Sequence, residues 1–77
     1  MDLAYAIKII EKSLEDWRVH RKCIRQAQFK VEDSEDGPAV AEVMAELTVD
    51  HERTVGRILG LQYALDALMQ VDLDEVE

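Results

Sequence analysis

A single cysteine, Cys23, leaves the chain without an intrachain disulfide, and a lone thiol fits a reducing compartment. Proline occurs once, at Pro38, and no stretch besides the one around it carries a dense cluster of turn-forming residues. Bases are scarce: 9 Lys and Arg stand against 17 Asp and Glu, for a net charge of −8. A field of that sign disfavours nonspecific contact with nucleic acid or an anionic membrane, so neither is expected as a direct partner. No apolar run approaches the roughly 20 residues of a membrane span. The stretch Leu3 to Ile10 lacks the basic flank and small-residue cleavage site of a signal peptide. The chain is therefore expected to be a complete, small, cytoplasmic protein.

What is present is apolar surface, 48% of residues, too much for a disordered acidic tail. Yet 77 residues make one small domain that buries only a modest fraction of its surface. Without disulfides, the expected staple is association with further copies.

The one clear break is Glu32-Asp33-Ser34-Glu35-Asp36-Gly37-Pro38. Before it, Leu3, Ile7, Ile10, Leu14, Trp17 and Ile24 step by threes and fours or by a whole number of turns. After it, Val40, Met44, Leu47, Ile58, Leu61, Leu65 and Leu68 do the same, which is the helical period. The pattern predicts helix 1 near residues 2–31, an acidic loop near 32–37, helix 2 near 38–71, and a frayed tail at 72–77. Pro38 suits a first helical turn, where its missing N–H has no intrahelical partner, and Ser34 or Asp36 is the expected cap. The tail acids would sit at the negative end of the helix dipole.

A short loop between long helices makes them antiparallel neighbours, so the chain is read as an all-α, antiparallel two-helix hairpin. In the register that aligns the apolar stripes, Leu3 is level with Leu68, Ile10 with Leu61, and Ile24 with Leu47. The same register brings Arg25 level with Glu46, Arg21 with Asp50, Lys30 with Glu42 and Glu15 with Arg57, a predicted salt-bridge zipper. Midway, His20 is level with His51 and Trp17 with Thr54, a predicted polar layer. A second stripe on helix 2, built from Gly56, Gly60, Ala64 and Ala67 and flanked by Val55, Leu59 and Tyr63, is left over by two helices. Val55, Gly56, Leu59, Gly60 and Tyr63 are accordingly the expected oligomer interface, completing a four-helix bundle by homodimerisation or higher association.

No catalytic signature stands out, a hairpin offers little concavity, and no enzyme activity or cofactor is expected. His20, Cys23 and His51 are the only nitrogen and sulfur ligands of the zinc type, a weak alternative whose spacing matches no zinc motif. Arg18, Arg21, Lys22, Arg25, Arg53 and Arg57 form a basic waist, and two copies could pool Arg18, Lys22, Arg53 and Arg57 around a phosphate-containing ligand or nucleotide. Phe29, beside Glu32, Asp33, Glu35 and Asp36, would anchor an acidic surface on a basic partner. The most distinctive stretch, Glu52 to Leu61, carries no family motif; size and charge alone suit the small acidic accessory proteins of viruses. The leading expectation is a non-enzymatic protein–protein interaction module: an adaptor, assembly factor or inhibitor. The alternatives are an acidic antagonist that mimics nucleic acid and a small-anion binder.

Overall fold

The computed structural model describes residues 2–34 and 37–76, with side chains described as far as residue 71. Two helices, α1 (Leu3–Glu32) and α2 (Pro38–Val76), pack against each other as an antiparallel hairpin, and the described residues contain no strand.

Each helix begins where local chemistry leaves fewer orphan donors. Asp2 takes the N-cap position of α1 and its carboxylate accepts from the Ala4 N–H at 3.3 Å. At the start of α2 the Gly37 carbonyl accepts from the Ala41 N–H at 3.1 Å, which leaves Pro38 at the first helical position. Gly37 is not in the left-handed region, so the connection needs no glycine-only conformation there. Ser34 serves the opposite end from the one expected: its hydroxyl donates back to the Lys30 carbonyl at 3.0 Å and closes α1. Short polar side chains bond whichever orphan backbone group is nearest, and the last carbonyls of α1 are nearer than the N–H groups of α2. The expected caps at Asp36 and the acids at Glu35 lie outside the described residues.

Helix 2 also runs further than expected. It continues to Val76, so the acidic tail is helical up to that residue instead of ending near residue 71. Once a helix is nucleated each further residue adds a hydrogen bond, whereas an acid near the C-terminus costs only about 0.3–1 kcal/mol and is screened by salt.

The seam is narrow. Leu14, Ile24 and Ile58 are its fully buried apolar side chains, joined by Thr54 and Gln28. Thr54 is 1% exposed and its hydroxyl donates to the Asp50 carbonyl at 2.8 Å, so a polar group sits in the seam without an unmet bond. Half-buried residues extend the seam at both ends: Leu3, Ile7 and Ile10 of α1 with Leu61, Leu65 and Leu68 of α2 away from the loop, and Ala27 and Val31 with Val40, Met44 and Leu47 toward it. Arg57 stacks over the Trp17 ring, which places the helices within one turn of the expected register.

The salt-bridge zipper is not formed. Among the described residues the one ion pair is Lys12–Asp16 at 3.2 Å, within α1 and largely solvated. Being level is not the same as facing. Arg18 shares a groove with Glu11, Glu15, Gln62 and Asp66 on one side of the seam. Arg21 and Arg25 follow Arg18 one and two turns on, so they belong to that side. Trp17 meets Arg57 on the other side, and Asp50 and Glu46 precede Arg57 by two and three turns. Arg21 and Arg25 therefore lie across the hairpin from Asp50 and Glu46. Exposed pairs contribute only about 0.2–1 kcal/mol, so their loss costs the fold little. A double-mutant cycle with Arg25→Gln and Glu46→Gln is expected to give a coupling within error of zero in urea denaturation.

The hairpin is a rod. Its extents are 60 × 17 × 14 Å and its radius of gyration is 17.5 Å. A globular chain of this length would have a radius near 11.5 Å. It exposes 6112 Å² for a mass of 8.8 kDa. Area scaling for a compact monomer of that mass gives roughly 4,800 Å², so about 1,300 Å² more surface is left in water than a globular fold leaves.

Candidate functional site

The waist of the hairpin holds its most specific side-chain cluster. The guanidinium carbon of Arg57 lies 4.5 Å from the centroid of the Trp17 ring. His20 meets the same ring edge-on, with centroids 5.3 Å apart and planes at 85°. Positive charge over an indole face is attracted by the ring quadrupole, and the long arginine stem covers the half-buried tryptophan from water. This contact was legible in principle: Arg57 lies one turn beyond Thr54, the residue expected level with Trp17. A Trp17→Leu and Arg57→Ala cycle is expected to show a favourable coupling of about 0.5–1 kcal/mol, read by chemical denaturation.

The expected polar layer is only partly assembled. Thr54 is buried and His51 and Trp17 are half-buried, but His20, Arg21 and Asp50 are exposed. Cys23 is exposed as well. Among the described residues no three His, Cys, Asp or Glu side chains converge to hold a metal ion, so the zinc alternative at His20, Cys23 and His51 is not built within one chain.

The four anion-binding candidates of the basic waist fall into two pairs one turn apart, Arg18 with Lys22 on α1 and Arg53 with Arg57 on α2. Arg57 lies on Trp17. Arg18 borders an open groove of about 610 Å³ together with Lys8, Glu11, Glu15 and Asp66, where acids and bases alternate. Arg53 borders a different depression, of about 430 Å³, with Glu46, Val49 and Asp50. Lys22 is exposed on α1. Near the loop, Phe29 is 74% exposed, and Glu32 and Asp33 beside it are exposed too.

An exposed apolar strip lies on α2. Leu59 is 61% exposed and Tyr63 81%, and Gly56 and Gly60 interleave with them along the helix. A Cβ placed on either glycine would meet nothing within 4 Å, so α1 does not approach this side. Val55, at the margin, is half-buried. Val49, two turns before Gly56, and Ala67, one turn after Tyr63, extend the exposed strip. Helix 2 thus carries apolar residues on two opposite sides, one of which α1 covers.

No protein family matches the chain, and no curated protein or solved structure matches it either. Among the described residues, no helix is long and apolar enough to cross a membrane.

Proposed function

We propose that the chain is a non-enzymatic interaction module that works as a small acidic helical oligomer: two or more hairpins complete one another's core and present their charged surfaces to another protein. The surplus of about 1,300 Å² over a compact monomer of this mass carries the reading. A contact removing that much from each chain would bury about 2,600 Å² in total, within the 2,000–5,000 Å² range of obligate homodimers. The resulting four-helix assembly would add buried surface to the narrow core that a 77-residue hairpin builds by itself. Isolated exposed apolar residues are ordinary, but a strip with its own helical period on the far side of a helix is not. A rod with acids near its bend is a shape that adaptor, assembly-factor and inhibitor roles can each use.

Sedimentation equilibrium across micromolar concentrations tests the reading. A mass of two or more chains is expected, and a cooperatively folded single chain throughout would remove it.

Phe29 favours a second role for the same assembly. An exposed aromatic flanked by Glu32 and Asp33 suits docking onto a basic, nucleic-acid-binding surface, with the ring supplying contact energy and the acids steering. Binding to such a partner is expected to weaken steeply with added salt and to drop at least tenfold in Phe29→Ala. Salt-insensitive binding would exclude the mimicry.

A further inference from the structure

The exposed strip on α2 has a size pattern that specifies how a second copy would lie on it. Tyr63 is the most exposed of the large hydrophobic side chains described. Seven residues earlier, two turns along the same line, stands Gly56, and between them come Leu59 and Gly60. Glycine in a helix interior destabilises it by comparison with alanine, and nothing within the hairpin compensates, because the space above both glycines is empty. A large ring and two bare stretches of backbone on one face make a surface that can complement itself.

Orientation decides whether it does. Two α2 helices laid parallel and in register would set Tyr63 against Tyr63, holding the backbones apart at the glycines, and bring the exposed Glu52 carboxylates opposite each other. Laid antiparallel about a two-fold axis between Leu59 and Gly60, each Tyr63 falls level with Gly56 of the other copy and each Leu59 with Gly60. Large then meets small at every level, as in ridge-into-groove packing. Glu52 comes level with Ala67, and the two Glu52 side chains separate by roughly 22 Å along the axis. The contact is isologous, so one strip supplies both halves and the assembly closes at two chains.

Resting on the oligomeric reading above, we propose that two copies join through antiparallel α2 helices, with Tyr63 of each seated over Gly56 of the other and the α1 helices on the outside. The occupant is a second copy because the pattern is its own complement and because the chain leaves about 1,300 Å² more surface in water than a compact monomer, enough to supply the contact area of a stable dimer.

Site-directed cross-linking tests the orientation in a Cys23→Ser background, which removes the one exposed native thiol. Chains carrying Glu52→Cys are mixed with chains carrying Ala67→Cys and treated with a short bismaleimide, while sedimentation reports mass in parallel. The mixed product is expected to exceed either self-linked product by at least tenfold. Preferential self-linking at position 52 would show parallel helices and overturn the orientation. A dimer by sedimentation that yields no cross-link would place the contact on another face and overturn the proposal, leaving the oligomeric reading intact. A monomer at all concentrations would overturn both. As a second arm, Gly56→Ala with Gly60→Ala is expected to raise the dimer dissociation constant at least tenfold while helicity by circular dichroism stays level or rises; an unchanged constant would also overturn it.

Discussion

Ile58→Ala is expected to cost the hairpin about 2–5 kcal/mol, the usual range for emptying a buried isoleucine site. Ile58 is 4% exposed and shares the centre of the seam with Leu14 and Ile24, which are the only other fully buried apolar side chains among the described residues. Typical stability per residue puts the whole of a 77-residue domain at about 4–12 kcal/mol, so the substitution removes a large share of it. The environment gives little room for collapse, since α1 lies directly across the seam. Urea denaturation followed by far-ultraviolet circular dichroism should show a lowered midpoint at unchanged slope, or no folded baseline at all. Leu59→Ala, one residue along the helix but 61% exposed, is the internal comparison. Below the association midpoint it should shift stability by no more than about 0.5 kcal/mol. Equal effects at the two positions would mean that the seam has been assigned to the wrong side of α2.

Leu59→Ser combined with Tyr63→Ser is expected to abolish association while leaving the hairpin helical. Central apolar and aromatic anchors commonly contribute about 2 kcal/mol or more each to an interface, so removing both should weaken self-association by two to three orders of magnitude. Neither change opens a cavity in the hairpin, because both side chains project away from α1. The thermal midpoint should nevertheless fall at high protein concentration, since dissociation withdraws the mass-action stabilisation of the folded chain. A double variant that sediments like the parent would shift the contact to another face. Ionic strength separates this apolar contact from a charge-driven one: a face whose charged groups lie at its margin should lose little affinity as salt screens them.

The parts of the fold readable in advance were those governed by period and punctuation. Apolar residues at threes and fours fixed two helices, the Gly37-Pro38 step fixed where the second begins, and the short connection fixed the antiparallel packing. The glycine-bearing strip was readable for the same reason, as apolar residues recurring on a face already in surplus. What failed depended on azimuth. Arg25 and Glu46 share a level but not a side, and a register argument that ignores the 3.6-residue turn cannot tell these apart. The same omission hid Arg57 on Trp17 and moved His20 out of the seam. Ser34 stands between two helix ends, and composition does not say which set of orphan groups its hydroxyl serves; it donates to the Lys30 carbonyl of α1. The tail was judged by its dipole alone, although propagation in a long helix offsets that cost.

The central claim is that one hairpin is half of a core. Native mass spectrometry of the full chain from sub-micromolar to tens of micromolar concentration, with circular dichroism on the same samples, tests it most directly. A two-chain species whose population and thermal midpoint rise together with concentration is the predicted result. A single chain that unfolds cooperatively at the same temperature across the whole range would contradict it.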